Sequence, residues 1–326
     1  EVMSERLGDG RIKWRDNVRE FGILIAFVLI VAILMVISPD AFAQPKNLIG
    51  IVKQASINGI LACGMMFVIL SGGIDLSVGS TIALAGVMAA HFAHPDTYPL
   101  IVPILIALLV GLAVGLVNGL GVAYGGIPPF IITLATMTAV RGVALIASGG
   151  SPVYNLSDSF NGLASGFIPG TIVPILAVYF LIIILVSGFI LTKTVFGRRI
   201  YTIGGNDVAA KVSGINVKRM RLSVYAISGV LAGFAGVLLA SRTISGSPTA
   251  GQGYELDAIA AVIIGGISMS GGAGKWYGTL IGALLLAVLA NGLDILNVSS
   301  NYQMVIKGAI IAIAVLVDIR GKARNE

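Results

Sequence analysis

The sequence has few charged residues and a single cysteine. Asp, Glu, Lys and Arg together make up 11% of the 326 residues, whereas soluble globular chains carry about 25%. Apolar residues make up 56% and the mean hydropathy is +0.97, which is more apolar surface than one water-soluble core of this length buries. The same numbers exclude a disordered chain, and Cys63 alone permits neither an internal disulfide nor a cysteine-rich metal site. These deficits predict an all-α polytopic membrane protein.

Long apolar runs are present in large number. A transmembrane helix needs about 20 predominantly apolar residues, and runs of that kind predict ten spans: 21–38, 48–70, 75–93, 99–122, 130–148, 172–191, 222–241, 255–270, 277–297 and 302–318. The spans 75–93 and 255–270 begin with acidic residues, so we expect them to be short, bent or partly re-entrant. The first run has the basic flank of a signal peptide, but its 17 apolar residues favour a retained helix.

The positive charges are distributed unequally between alternate loops. With the N-terminus inside, sixteen Lys and Arg residues fall on the cytoplasmic side and two, Lys46 and Arg242, on the external side. This bias predicts a cytoplasmic N-terminal segment, 1–20, and a cytoplasmic tail, 321–326. The net charge of +6 therefore reflects topology, since a nucleic-acid-binding protein would gather its basic residues on one face. We expect contact with membrane lipid and none with nucleic acid.

Two short motifs recur about half a chain apart. Ile74-Asp75-Leu76 has a counterpart in Glu255-Leu256-Asp257, and Val117-Asn118-Gly119-Leu120 has one in Ala290-Asn291-Gly292-Leu293, at offsets of 182 and 173 residues. Five spans per half would insert the halves upside down relative to each other, as in many transporters. The repeat predicts one transmembrane domain, 21–320, with inverted halves of about 21–170 and 171–320. Chance similarity among Gly- and Ala-rich helices is the alternative.

Motifs for catalysis or metal binding are missing from the sequence. Gly271-Gly272-Ala273-Gly274-Lys275 resembles a phosphate-binding loop, but Met269 stands at the first required Gly and Trp276 at the required Ser or Thr. His91 and His94 share a short external turn without further ligands, which favours a solvated turn over a metal site. The hydrolase signatures Gly-x-Ser-x-Gly and His-Glu-x-x-His are absent. We predict no catalytic residue, no metal and no ATPase site on this chain, and an intramembrane enzyme is disfavoured.

Polar side chains inside the predicted spans are candidates for a translocation pathway, because a charge in hydrocarbon is costly. The candidates are Asp75, Asn118, Asn291, Glu255 and Asp257. Three cations near span ends, where snorkelling suffices, are set aside: Lys53, Arg141 and Lys307. For Asp75 and Asp257 the favoured interpretation is acceptance of backbone N–H groups at a helix start. Asn118 and Asn291 suit either a neutral, hydroxyl-rich solute or interhelical hydrogen bonds.

The segment 192–221 is the one long cytoplasmic loop and holds seven of the 21 basic residues. Asn206 predicts an N-cap for a short helix over 207–212, and Gly214 predicts its end with a positive φ. Such a helix contacts a partner protein or forms a passive connector, and the local sequence leaves both open. We expect Ala209 and Ala210 to form its outer face.

Three longer motifs resemble those of the bacterial ABC importer permeases for ribose, arabinose and galactose. They are Gly72-Gly73-Ile74-Asp75-Leu76-Ser77-Val78-Gly79-Ser80, Pro129-Phe130-Ile131-Ile132-Thr133-Leu134-Ala135-Thr136-Met137, and Pro248-Thr249-Ala250-Gly251-Gln252-Gly253-Tyr254-Glu255-Leu256-Asp257-Ala258-Ile259-Ala260-Ala261. The resemblance extends over about 21–320. The ribose type is nearest, through Pro248-Thr249-Ala250-Gly251 and Asn297-Val298-Ser299-Ser300.

The resemblance implies a membrane-spanning permease subunit of an ATP-driven importer, which translocates a ribose-like monosaccharide across the bacterial inner membrane. The implied partners are a cytoplasmic ABC ATPase subunit that binds ATP and Mg²⁺, a periplasmic sugar-binding protein, and a second permease copy in a homodimer. An ion-coupled secondary transporter of a small polar solute is the alternative, because inverted repeats fit it as well.

The resemblance also implies that the segment 192–221 couples the permease to the ATPase. Many ABC permeases have a Glu-Ala-Ala-x-x-x-Gly pattern in this loop. Here Ala209-Ala210-Lys211-Val212-Ser213-Gly214 matches all of it except the Glu, where Val208 stands, with Asp207 adjacent. The coupling residues implied are Gly205, Asn206, Asp207, Ala209, Ala210, Ser213 and Gly214.

Overall fold

The computed structural model describes residues 22–95 and 97–323, with side chains as far as Arg320. The segment 1–20 and the end of the tail 321–326 lie outside the described residues. The regular structure of the described chain consists of fourteen helices. In chain order they are α1 (Gly22–Ile37), α2 (Pro39–Phe42), α3 (Pro45–Leu70), α4 (Val78–Phe92), α5 (Ile101–Ala123), α6 (Pro129–Ala147), α7 (Asp158–Ser165), α8 (Ile175–Lys193), α9 (Val195–Gly205), α10 (Asp207–Val212), α11 (Val217–Thr243), α12 (Tyr254–Ile264), α13 (Trp276–Ile295) and α14 (Ser300–Ala323).

Each of the ten predicted spans overlaps one of these helices, but three of the ten helices are short. Seven described helices are long and apolar enough to cross a membrane: α3, α5, α6, α8, α11, α13 and α14. The predicted shortness of 75–93 and 255–270 is confirmed, because α4 has 15 residues and α12 has 11. The multi-pass, all-α class is thus confirmed. The count of ten spans and the inverted halves stay predictions.

A glycine turn explains why α12 is short. α12 ends at Ile264, just before Gly266, where φ is +88°. A residue with a Cβ adopts such angles at a cost, whereas Gly does not. Ile267 and Met269 follow this turn, so hydropathy alone placed the end of the helix beyond it, at 270.

Helix α3 lies at the centre of the bundle. Its side chains are buried without a break from Ala55 to Leu70, and helices α8, α11, α12 and α13 pack around it. A helix that is apolar on all sides is expected in such a position. By contrast α14, with large exposed side chains such as Val305 and Val317, lies at the periphery of the chain.

Glycines at four-residue spacing predict close helix contacts in a bilayer, where water supplies no drive for association. The structure confirms this between α5 and α11. A Cβ at Gly111 would overlap the carbonyl oxygen of Gly229, and one at Gly115 would overlap the carbonyl oxygen of Tyr225. The α5–α11 contact therefore depends on backbone touching backbone, and it fixes α11 beside the loop that follows α3.

Candidate functional site

A cavity of about 320 Å³ opens between α3, α12, α13 and α14, at the end of the bundle where α3 and α14 begin and α13 ends. Its polar lining residues are Gln54, Asn58, Arg242, Asp257, Asn291, Asp294 and Lys307. Its apolar lining includes Ile51, Leu286 and Ala287. Small binding sites in proteins occupy about 300 to 1,000 Å³, so the cavity is large enough for one small solute.

An ion pair crosses the cavity wall between α12 and α14. Lys307 Nζ lies 3.0 Å from Asp257 Oδ1 and donates a hydrogen bond of 3.0 Å to Asp257 Oδ2. The Lys307 side chain is 32% exposed and that of Asp257 is 10% exposed, so the cavity reaches the pair. The prediction that Asp257 caps the start of its own helix is wrong. The carboxylate lies in the first turn of α12, where a cation from another helix is close enough to pair with it.

Amide side chains form the opposite wall. Asn291 on α13 and Asn47 on α3 exchange two hydrogen bonds, at 2.7 and 3.0 Å between amide nitrogen and oxygen. Arg242 Nη1 donates to Gln54 Oε1 at 2.9 Å, and Gln54 also contacts Asn58. Asn291 therefore makes the interhelical bond that the sequence allowed and, at the same time, lines the cavity.

The other predicted pair, Asp75 and Asn118, lies in a sealed network. Asp75 is 1% exposed and Asn118 is fully buried. Asp75 Oδ1 accepts from the Ser77 backbone N–H at 3.0 Å and from Ser77 Oγ at 2.6 Å, while Oδ2 accepts from Ser228 Oγ at 2.9 Å. Asn118 Nδ2 donates to Ser77 Oγ at 2.8 Å and lies 3.4 Å from Asp75 Oδ1. The expected backbone bond of Asp75 is thus present just before α4, although most of its partners are side chains of α5 and α11.

Glu255 lies apart from both groups. Its carboxylate packs against Gly79 of α4 and accepts from the Gly253 backbone N–H at 3.3 Å. Arg141 on α6 donates to the carbonyl oxygens of Pro248 and Ala250, at 2.7 and 2.8 Å. The structure therefore places Glu255 and Arg141 around the loop that leads into α12, outside the lining of the cavity.

Sequence reasoning missed five polar cavity residues: Gln54, Asn58, Arg242, Asp294 and Lys307. Lys307 carried a signal, because it is a charge within an apolar run, but its position near a span end suggested snorkelling. Asp294 carried the same signal; its Oδ1 accepts from Gln303 Nε2 at 2.7 Å. Lys307 and Asp257 are 50 positions apart and Arg242 and Gln54 are 188 apart, so these pairs depend on helix packing, which no local pattern reveals.

The loop 192–221 folds as predicted in most respects. Asn206 Oδ1 accepts from the Ala209 backbone N–H at 2.9 Å and caps α10, and Gly214 has a φ of +79°. Asp207 pairs with Lys211 at 2.7 Å, one helical turn away. Ser213 Oγ donates to the carbonyl oxygen of Ala209.

The predicted outer face of α10 is wrong for one of its two residues. Ala210 is fully buried because it packs into the hydrophobic core, and its carbonyl accepts from the Ile215 N–H as the chain turns back towards α11. Ala209 is exposed, but the large exposed side chains are Val208, at 69%, and Val212, at 85%. Residues four apart share a helix face, so α10 presents an apolar pair to the solvent.

The glycine run after α12 is a packing junction. The Gly272 N–H donates to the Leu70 carbonyl at the end of α3, at 3.0 Å, and a Cβ at Gly271 or Gly272 would meet the backbone of Gly204 or Gly205. Tyr201 on α9 donates its hydroxyl to the Gly274 carbonyl at 3.0 Å, and burial raises the pKa of this phenol. The glycine run therefore packs directly against the end of α3 and the end of α9.

The two histidines hold backbone segments together. A ring nitrogen of His91 lies 2.9 Å from the Ala147 carbonyl oxygen, and one of His94 lies 2.9 Å from the Asn155 carbonyl oxygen. In the part of the chain that the structure describes, no three His, Cys, Asp or Glu residues are grouped as metal ligands.

These features define the class of protein. Seven apolar helices long enough to cross a membrane, together with a polar cavity among them, are typical of a multi-pass membrane transport component. The family model described as "Branched-chain amino acid transport system / permease component" matches residues 47–315. The chain belongs to this family of permease components.

Individual relatives match almost from end to end. The ribose import permease protein RbsC of Bacillus subtilis (strain 168) is 44% identical over 96% of this chain and 97% of its own. The ribose import permease protein RbsC of Escherichia coli (strain K12) is 45% identical over 90% and 92%. The xylose transport system permease protein XylH of Haemophilus influenzae is 36% identical over 94% and 98%. No solved structure matches the chain. The resemblance seen in the sequence motifs is confirmed, and a secondary transporter is not favoured.

Proposed function

We propose that this chain is the membrane-spanning permease subunit of an ATP-driven importer for a ribose-like pentose. The observation that carries the proposal is the identity of 44% and 45% with two ribose import permeases over at least 90% of the chain. Relatives named for xylose and allose are 36% and 40% identical, which ranks ribose first. Because the family description names branched-chain amino acids, leucine is the competing solute in any test.

ATP hydrolysis is assigned to a separate cytoplasmic ABC ATPase subunit, which binds ATP and Mg²⁺. The chain has Met269 and Trp276 where a phosphate-binding loop requires Gly and Ser or Thr, which supports this division of labour. A periplasmic sugar-binding protein delivers the solute, and two copies of the permease form a homodimer in the lipid bilayer. The importer lies in the bacterial inner membrane.

In this proposal both termini and the loop 192–221 face the cytoplasm. The distribution of Lys and Arg supports the orientation, and α3 then starts at the external side, so the cavity opens towards the side from which solute arrives. Ten helices in two inverted halves, 21–170 and 171–320, complete the proposed topology. The helix found at each of the ten apolar runs supports this count.

The helix α10 is the proposed contact with the ATPase. Val208 and Val212 form a small exposed apolar surface. Burial of apolar surface is the main favourable contribution to the free energy of protein association. The contact is therefore apolar at the position where many related permeases have Glu. Asn206 and Gly214 hold the helix in place, so force applied to it passes through α9 to the glycine junction at the end of α3.

The transport experiment tests the function directly. The permease is reconstituted in liposomes with its ATPase and binding protein, and uptake of radiolabelled ribose and leucine is measured with and without ATP. We expect ATP-dependent uptake of ribose that requires both partners. Uptake of leucine in its place would contradict the substrate, and gradient-driven uptake by the permease alone would restore the secondary transporter.

A second experiment tests the coupling helix. Val208→Asp and Val212→Asp place a charge in the proposed apolar contact, so we expect co-purification of the ATPase and transport-coupled ATP hydrolysis to fall more than tenfold. Val195→Asp, an exposed valine on α9, is the matched control and should retain both. Wild-type assembly in the Val208 and Val212 variants would make the loop a passive connector.

A further inference from the structure

The cavity between α3, α12, α13 and α14 has the charge balance of a site for an uncharged solute. Two carboxylates, Asp257 and Asp294, face two cations, Arg242 and Lys307. Each already has a protein partner: Lys307 for Asp257, Gln303 for Asp294 and Gln54 for Arg242. The four formal charges sum to zero, so the cavity has no net charge that favours an anion or a cation over an uncharged solute.

The same side chains retain hydrogen-bonding capacity for hydroxyl groups. An ionised carboxylate has about four acceptor positions and a lysine ammonium has three donors, so the single pairing of Asp257 with Lys307 leaves positions on both. Asn291 uses one N–H and one oxygen lone pair on Asn47, which leaves one of each. Alternating donors and acceptors on adjacent walls are the chemistry that binds vicinal hydroxyls.

An apolar strip completes the lining. Ile51 on α3 and Leu286 and Ala287 on α13 lie beside the polar groups, and they suit the C–H face of a sugar ring. The volume of about 320 Å³ lies at the lower end of the range for ligand sites, which fits one monosaccharide and excludes an oligosaccharide.

We propose that this cavity is a monosaccharide-binding site on the permease itself, in which Asp257, Lys307 and Asn291 bind the hydroxyl groups of one neutral sugar. The inference rests on the proposed function for its solute. It adds a binding site on the translocation pathway, which the sugar occupies after its release from the binding protein. Asp75 and Asn118 have no part in it, since they lie in the sealed network.

Direct binding tests the site without the partners. Purified full-length permease in lipid nanodiscs is titrated with radiolabelled ribose, and unlabelled ribose, leucine and ribose 5-phosphate are used as competitors. We expect weak saturable binding that ribose competes and the other two do not. Asp257→Asn, Lys307→Met and Asn291→Leu should each weaken it at least tenfold, while Lys218→Met, a lysine on α11 stacked over Tyr124, should leave it unchanged.

The outcomes separate this inference from the proposed function. Thermal unfolding of each variant checks that the fold is kept. Absence of saturable binding to the wild type, wild-type binding in the cavity variants, or competition by leucine or ribose 5-phosphate would overturn the inference. If the reconstituted importer still carries ribose in those cases, the proposed function stands. Failure of the importer to carry ribose would refute the function instead.

Discussion

Two clusters in this protein use the same residue types with opposite results. Asp75 and Asn118 lie in a network closed to solvent, with Ser77 and Ser228 filling the positions around the carboxylate. The cluster with Asp257 and Asn291 lies on the wall of an open cavity. An aspartate and an asparagine inside an apolar span are therefore not sufficient to mark a pathway.

The difference lies in the size of the surrounding side chains and in how closely the helices approach. Around Asp75 the backbones of α5 and α11 touch through Gly111 and Gly229, which brings Asn118 and Ser228 within bonding distance. Around Asp257 the facing residues on α3 and α13 include Gly50, Ala287 and Ala290, whose small side chains leave volume unfilled. Close packing seals the first cluster, and small residues without close packing open the second.

A larger side chain should give the greatest difference in stability between variants of the two clusters. Ser228→Leu forces a branched side chain into a filled site and removes the bond to Asp75, so we expect the free energy of unfolding to fall by about 3 kcal/mol. Ala290→Leu places the same side chain in the cavity, where space exists, and should cost less than about 1 kcal/mol while reducing ribose uptake at least tenfold. Thermal unfolding in detergent and liposome uptake provide the readouts. Equal destabilisation by both substitutions would show that the cavity is filled in solution.

Removal of the aspartate side chain should also destabilise the sealed network more than the cavity cluster, by a smaller difference in the free energy of unfolding. Asp75→Ala deletes three side-chain hydrogen bonds, each worth about 0.6 kcal/mol between membrane helices, so unfolding should become easier by about 2 kcal/mol. Asp257→Ala leaves Lys307 without its carboxylate, but the Lys307 side chain is 32% exposed and lines the cavity, so we expect a loss below about 1 kcal/mol. The unfolding midpoints of the two variants decide between them. A larger loss for Asp257→Ala would reverse the assignment of structural and functional roles.

The rim of the cavity should be the most tolerant position. Gln303 donates to Asp294 at an exposed site, and surface substitutions are usually within about 0.5 kcal/mol. We expect Gln303→Ala to stay within that limit and to change ribose uptake less than twofold. Uptake and unfolding measured beside Ala290→Leu provide the comparison, and a strong loss of uptake would move the site outward to the rim.

Local features could be predicted from the sequence because their causes are local. The Asn206 cap, the helix over 207–212 and the positive φ of Gly214 depend on neighbouring residues, and all three are present. The positions of the apolar helices also follow from composition. Their lengths do not, since Gly266 ends α12 inside a run that remains apolar.

The candidate site could be predicted only in part. Asp257 and Asn291 stand out as polar residues in apolar segments, but the partner of Asp257 is Lys307, on another helix. Similarly, Ala210 is buried through the return of the chain to α11, a contact that the pattern of α10 does not contain. Which side chains pair across two helices depends on how each helix is rotated about its axis and on how closely the two helices approach. Hydropathy determines neither.

Cysteine accessibility tests the central claim most directly. In a background with Cys63 replaced by Ala, single cysteines are introduced as Ala290→Cys and Ser228→Cys, and the membranes are treated with a small, water-soluble maleimide. We predict that the cysteine at 290 reacts and that ribose slows its reaction, while the cysteine at 228 stays unmodified until the protein is unfolded. Modification at 228 in the folded protein, or a reaction at 290 that ribose leaves unchanged, would contradict the assignment of the sealed network and the open sugar site.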